Sequence, residues 1–293
     1  MIKHLYTLTW NEADILGFFF RHYDPWIDRY VVYDNGSSDE TLALLRAHPR
    51  VEIRSFEWTN PNSFVWSHWR MQDSVWKESR SCADWVIITA TDEHLHVPGM
   101  SMQDYLEDCR KRYVTLIPAM GYQMVSEEFP CANERLCVTR TLGVPDSDFN
   151  KISIFDPNAI SEINYSRGRH RASPSGRLKL PPCDRLLLLH YKHLGLERTF
   201  ARYRQLHAAL RAGDLVQKSN WRYSWSRERF MQEWQRLTYH SFDISAPGMK
   251  HWKQHLTTRY WRRAYLLSQL SHLVPGAIKK VLKKHLFAER GTD

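Results

Sequence analysis

Arg29-Tyr30-Val31-Val32-Tyr33 runs into Asp34-Asn35-Gly36-Ser37-Ser38-Asp39-Glu40-Thr41. Aromatic and β-branched residues give way to a polar turn, and Asn-Gly is a turn signal because both residues tolerate positive φ. Ser37 with Glu40 three residues later has capping-box spacing and predicts a helix reaching to about His48. The stretch is a strand, a turn and a helix, and its neighbours repeat the unit. Upstream, Lys3 to Trp10 alternates as a strand, and Asn11 is placed to cap a helix from Glu12 to Tyr23 with Ile15, Leu16, Phe19 and Phe20 on its core face. Downstream, Val51–Ser55, Asp84–Thr89 and Tyr113–Pro118 read as strands, and Ser67–Arg80 and Ser101–Arg112 as helices. Strand–helix alternation with short turns predicts a mostly parallel sheet flanked by helices.

The second half changes character. Arg135–Thr139, Lys151–Phe155 and Ile160–Tyr165 read as short strands of an antiparallel extension. Arg169 to Pro182 is a basic loop, Leu186–Tyr191 is an apolar strand, and the pattern is helical after Glu197.

The chain has 293 residues, 43% hydrophobic and 25% charged, which excludes a disordered or collagen-like chain. No apolar run approaches the ~18 residues of a membrane span, and Met1–Tyr6 lacks a signal-peptide core. Five cysteines at irregular spacing are read as free thiols of a reducing compartment. The net charge of +9 is uneven: residues 1–249 hold 31 Lys/Arg and 30 Asp/Glu, whereas 250–293 hold ten and two. A neutral body argues against a nucleic-acid partner, which needs a broad basic face. In the tail, Ile278, Leu282 and Leu286 with intervening lysines form a basic amphipathic pattern. That predicts contact with an anionic membrane surface through residues 260–290, and a cytoplasmic protein seated peripherally on the inner face of the cell membrane.

Ligands of open α/β sheets sit at the carboxyl ends of the strands. Three polar clusters fall there: Trp10-Asn11-Glu12, Asp34 to Asp39, and Thr91-Asp92-Glu93-His94. A carboxylate directly after a buried apolar strand suits Mg²⁺ or Mn²⁺ bridging a diphosphate, and a nearby histidine suits Mn²⁺. Asp34, beside a glycine turn, is placed to accept from a nucleotide's base or ribose. No glycine-rich turn follows the first strand, which argues against a methyltransferase.

The order Asn11-Glu12, then Asp34 to Thr41, then Asp84-Trp85-Val86-Ile87-Ile88-Thr89-Ala90-Thr91-Asp92-Glu93 resembles family 2 glycosyltransferases. It looks most like the bacterial branch with N-E-A-D-I-L, R-H-Y and Y-D-N-G-S-S-D. The likeness covers about residues 3–96 and continues loosely through Lys151, Gly168-Arg169-His170 and His190-Tyr191. It implies a GT-A fold over residues 1–195, with a nucleotide-sugar half to about 100 and an acceptor half beyond, followed by a helical region over 196–293. The implied activity is inverting, metal-dependent transfer of a sugar from a nucleotide-diphosphate sugar to a glycan or lipid-linked acceptor in cell-surface polysaccharide synthesis.

By the same resemblance, Thr7, Trp10 and Glu12 line the base pocket, Asp34 contacts the base, and Asp39 lies on the donor side. Asp92 is the metal-binding aspartate of D-x-D, and His190 and His170 complete the shell around Mn²⁺ or Mg²⁺. One departure stands out: the family's D-A-D-E-F is here Ala90-Thr91-Asp92-Glu93-His94. The missing first aspartate leaves a non-catalytic, glycosyltransferase-like binding protein as the alternative. The reaction needs a general base, for which Asp148 ranks above Glu127, and cations for the leaving diphosphate, for which Lys151, Arg169 and Lys192 are the candidates.

Overall fold

The computed structural model describes residues 1–216 and 221–255. The chain is mixed α/β, with a mostly parallel central sheet flanked by helices, as expected. Strand β1 (Lys3–Thr9) leads through α1 (Ala13–Tyr23) to β2 (Arg29–Asp34), then through α2 (Thr41–Ala47) to β3 (Val51–Ser55). Helix α3 (Phe64–Ser74), continued by a 3₁₀ turn over Val75–Ser79, returns the chain to β4 (Trp85–Ile88) on the other side of β1. The corner after β4 diverts the backbone into β5 (Glu93–His96), which leaves this sheet for a second one.

Helix α4 (Met102–Lys111), capped by the Ser101 side chain, precedes β6 (Leu116–Pro118), β7 (Met120–Ser126), the short helix α5 (Leu136–Thr139) and β8 (Leu142–Pro145). Then come β9 (Ile152–Phe155), a small pair β10 (Ile160–Glu162) and β11 (Ser175–Gly176), and the long β12 (Leu187–Leu194). The first sheet has the order β3-β2-β1-β4-β9-β6, in which only β9 runs antiparallel to its neighbours. After Gly195 come α6 (Leu196–Ala209), α7 (Ala212–Val216), α8 (Arg227–His240), β13 (Phe242–Asp243) and α9 (His251–Gln254). The second sheet has the order β13-β8-β7-β12-β5.

Apolar layers cover both faces of the first sheet. Leu16, Phe19 and Tyr23 of α1 pack with Leu5, Tyr30 and Ile87 on one face. Trp76, Tyr6, Val86, Ile88 and Phe155 fill the other. A third cluster, including Ile15, Phe18, Tyr122 and Tyr191, joins α1 to the second sheet.

Several local expectations are corrected. Arg135–Thr139 is not a strand: Leu136–Thr139 is one helical turn, in which the Val138 and Thr139 N–H groups both turn back to Arg135 O rather than to a strand. Asn11 does not cap α1. It has φ 51° and accepts from the Ser38 N–H at 2.7 Å, and Glu12 occupies the cap position. Nor is there a capping box at Ser37: its hydroxyl accepts from the Asn11 N–H at 2.9 Å. Asp39 does the capping, accepting from Thr41 N–H at 3.0 Å and Ala13 N–H at 3.2 Å and so serving the starts of α2 and α1. Strands β5, β7 and β8 were not legible as strands in the sequence. Helix α3 begins at Phe64, three residues earlier than expected: Ser63 caps it, its Oγ accepting from Trp66 N–H at 3.1 Å, and the buried carboxylate of Asp214 reaches the same turn. Asp214 accepts from Ser63 Oγ at 2.6 Å, Phe64 N–H at 2.9 Å and Val65 N–H at 3.2 Å. This support comes from 150 positions away and ties α7 to α3.

All five cysteines are free thiols. Among the described residues no helix is long and apolar enough to cross a membrane. The basic amphipathic stretch at 260–290 lies outside the described residues.

The interior contains uncharged histidines. The rings of His22 and His94 stack at 4.5 Å and 14°. Burial lowers His22 to about 4, and burial together with the neighbouring His22 takes His94 well below its ordinary value. The unfolded chain therefore takes up protons on these imidazoles from about pH 6.5 downward while the folded chain does not. Their contribution is fully present above pH 6.5 and is lost as the pH falls toward 4. The unfolding free energy from urea titration is expected to drop between pH 7 and pH 4.5 by roughly 2 kcal/mol or more, and less in His94→Leu. A flat profile over that window contradicts the assignment.

Candidate active site

Strand β1 neighbours β2 on one side and β4 on the other, so the chain reverses its winding direction between β1 and β4. A crevice opens at such a switch point because the following segments diverge. Here it is a cleft of about 330 Å³, whose floor includes Glu12 after β1 and Ala90-Thr91-Asp92-Glu93 after β4. Helices α3 and α6 supply its walls through Phe64, His68 and Trp69, and through Arg198, Arg202 and Leu206.

Register assembles the chemistry. Glu93 on β5 pairs with His190 on β12, which in turn pairs with Gln123 on β7. The Tyr191 N–H donates to Asp92 O at 2.7 Å, fixing Asp92 beside the same strand. His190 Nε2 stands 3.2 Å from Asp92 Oδ2, and His190 Nδ1 stands 2.8 Å from Gln123 Oε1. Phe149 stacks on the His190 ring at 4.2 Å and 23°. Gly121 makes room for that stack, since a Cβ there would lie 2.3 Å from Phe149 Cβ. Burial works against the ionised form of Asp92, yet the facing His190 outweighs it and holds the carboxyl at about 2.

Glu93 has a different job from the one its motif suggested. Its Oε1 accepts from Lys151 Nζ at 2.7 Å, and its Oε2 accepts from Arg169 and from the Ala90 N–H. All three side chains are almost fully buried. Burial opposes the charge on Glu93, but Arg169 and Lys151 more than offset it and keep the carboxyl far below the usual range. The Asp92-Glu93 pair therefore does not act as a joint oxygen site for a cation. Arg169 reaches Glu93 from a left-handed backbone, with φ 58° following Gly168 at 70°. A side chain at Gly168 would collide with the His170 ring, its Cβ falling 2.6 Å from Nε2.

Of the expected donor residues, Glu12 lines the cleft and Lys151 lines it from within the buried triad. Glu12 pairs with Arg202 at 2.5 Å, and Arg202 also donates to Trp10 O at 2.7 Å and lies over the Trp10 ring. Burial pushes Glu12 up to about 7 despite the favourable charge of Arg202, and Asp92 adds to the rise. Thr7 is buried in β1 with its hydroxyl unpartnered among the described residues, and it is not among the cleft-lining residues. Asp34 and Asp39 also lie outside the cleft lining. Asp34 accepts from Gly36 N–H at 3.0 Å and Ser37 N–H at 3.1 Å, closing the turn, and Asp39 caps helices.

The two proposed bases, Asp148 and Glu127, are exposed and do not line the cleft. The backbone carbonyl of Asp148 accepts from His170 Nδ1 at 2.7 Å, so that residue orients the histidine. His170 lines the cleft, with Phe149 edge-on at 5.9 Å.

Among the described residues no group of three or more His, Cys, Asp or Glu is gathered to hold a metal ion, so His170 does not join Asp92 and His190 in one cluster. Asp92 and His190 do form a pair that could hold a divalent cation, a hard carboxylate oxygen of the kind Mn²⁺ and Mg²⁺ take beside an imidazole nitrogen. Their 3.2 Å separation is close to the roughly 3 Å between adjacent ligands of one octahedral ion.

The cleft's cations were read only in part from the sequence. Lys151 and Arg169 share the single carboxylate of Glu93, and Arg198 and Arg202 pair with Asp14 and Glu12. Lys192 donates to Tyr223 Oη at 3.0 Å and has no carboxylate partner among the described residues. Arg198 and Arg202 were missed, although their i,i+4 spacing in a helical pattern puts them on one face.

No protein-family model matches the chain, and no curated protein matches it. Solved structures with a likeness include glucosyl-3-phosphoglycerate synthase from Mycobacterium tuberculosis. Its complex with phosphoglyceric acid is 15% identical, with TM-score 0.33, covering 58% of this chain and 62% of that one. Its complex with Mn²⁺, uridine diphosphate and phosphoglyceric acid is 15% identical, with TM-score 0.27, covering 41% and 43%. A 4-diphosphocytidyl-2C-methyl-D-erythritol synthase from Anaerococcus prevotii is 10% identical, with TM-score 0.27, covering 54% and 71%. The chain thus spans less than two thirds of the length of the synthase in each complex.

Proposed function

We propose that the protein is an inverting glycosyltransferase of GT-A type that uses a nucleotide-diphosphate sugar and a divalent cation, Mn²⁺ or Mg²⁺. The proposed acceptor is a glycan or a lipid-linked saccharide. The observation that carries this reading is the Asp92–His190 pair at the switch point of the sheet, in a cleft that also presents Lys192. Asp92 and His190 hold the cation, and when bound it supplies positive charge to the leaving diphosphate. Lys192 adds a second positive charge on that side. Transfer also needs a group that takes the acceptor hydroxyl's proton. Glu12 lines the cleft and takes up a proton near neutrality, which suits that task better than Asp148 or Glu127. Ala90, whose backbone rather than side chain meets Glu93, favours a second reading in which donor binds without turnover.

Thermal melting with UDP, GDP, CMP and their sugars, each with and without Mn²⁺, tests the proposal. One nucleotide at about 100 times its Kd is expected to raise Tm by roughly 5 °C or more, and only with Mn²⁺ present. No shift with any nucleotide overturns it. A Mn²⁺-dependent shift with no sugar transferred to water or any acceptor moves the protein to the second reading.

A further inference from the structure

A histidine can ligate a cation through Nε2 only if that nitrogen is free of its proton, and what faces Nδ1 decides this. Behind His190 lies a chain of two groups. Gln123 Oε1 is 2.8 Å from His190 Nδ1, and Gln123 Nε2 is 3.3 Å from Asp146 Oδ2. Gln123 and His190 are both buried. An amide can point either way, so its orientation is set by its neighbours. The carboxylate of Asp146 only accepts, so it takes the NH₂ end of Gln123. That leaves the amide oxygen facing His190, which must then donate from Nδ1. Nε2 is thereby the nitrogen turned toward Asp92, 3.2 Å from its Oδ2, where a proton bridges the two atoms until a cation takes its place.

We infer that Asp146 is a positioning residue that selects the Nδ1–H form of His190 through Gln123 and so keeps Nε2 available as a ligand. The inference rests on Asp92 and His190 being the cation-holding pair. The other Asp146 oxygen, Oδ1, accepts from the Asp148 N–H at 2.9 Å, and register holds the relay, since β8 pairs Val144 with Gln123.

The test inverts the relay without changing its shape. In Asp146→Asn the new NH₂ faces Gln123, the Gln123 amide turns over, and its NH₂ now faces His190 Nδ1. His190 then carries its proton on Nε2. Adding Gln123→Glu supplies a carboxylate that accepts from both sides and restores Nδ1–H. Long-range ¹⁵N–¹H NMR of the metal-free full chain, at a pH high enough for the imidazole to be neutral, reads the tautomer, and titration with MnCl₂ alone reads the cation. Expected are an inverted His190 pattern and a 10- to 100-fold weaker Mn²⁺ affinity in Asp146→Asn, with both recovered in the double variant. His170, whose Nδ1 partner is a backbone carbonyl, should keep its pattern throughout and reports that the fold is intact. An unchanged His190 pattern in Asp146→Asn, or no recovery in the double variant, overturns the inference. If the wild type shows the expected tautomer but binds no Mn²⁺, the reading of the cation pair fails and the tautomer assignment stands.

Discussion

Glu93→Gln is expected to cost about 3–5 kcal/mol of folding stability, the largest effect of any single change at this site. The carboxylate lies between two cations, accepting from Lys151 Nζ at 2.7 Å and from Arg169, and all three groups are sealed from water. Taking three charged groups out of water is costly, and their mutual attraction repays it only while the negative centre is present. The amide keeps one acceptor oxygen but turns an NH₂ toward a cation. Two like charges then face each other in the interior. Lys151 can shed its proton, and burial already lowers its proton affinity, but Arg169 cannot. Urea unfolding at neutral pH measures the loss, and a change below about 1 kcal/mol would show that the triad contributes little. Adding Arg169→Met to Glu93→Gln should recover part of the stability, because it removes the cation that cannot neutralise itself.

Asp92→Asn should leave the fold nearly intact and weaken Mn²⁺-dependent nucleotide binding by more than ~100-fold. The backbone carbonyl of Asp92, which accepts from the Tyr191 N–H at 2.7 Å, is unaffected by the change. What is lost is the charge of a carboxyl that His190 holds ionised down to about pH 2 against the cost of its burial. An amide oxygen is a weaker ligand for a hard cation and leaves His190 to hold it alone. Calorimetric titration with the nucleotide found by melting, with and without chelator, decides the matter. Affinity equal to wild type, or affinity indifferent to the chelator, would remove Asp92 from the cation site.

The first four strands and their order of appearance were legible because local composition dictates them. Val31 and Val32, or Val86, Ile87 and Ile88, can be placed only in a buried strand, and the polar residues that follow can only lie at its end. The same reading located α1 and α4, and the helical pattern after Glu197 marked the start of α6 but not its end. Local reading failed where partners come from far along the chain. Capping at Ser37 looked complete, yet the caps of α1 and α2 both come from Asp39, and the Ser63 cap of α3 is completed by Asp214. Strands β5 and β8 are short and β7 is mixed in composition, and they are strands because β12 and its neighbours supply their hydrogen bonds.

At the site the division is similar. The sequence by itself determined that carboxylates gather at the carboxyl ends of a parallel sheet, since Glu12, Asp34 and Asp92 lie at or just after the ends of three apolar strands. Which carboxylate is available was decided only by tertiary structure. Asp92 and Glu93 are adjacent and chemically alike, but one meets His190 at the edge of a cleft and the other is neutralised by Lys151, 58 residues away, and by Arg169. A charge's role depends on what else is buried beside it, and at these separations that is a property of the packed chain rather than of any motif.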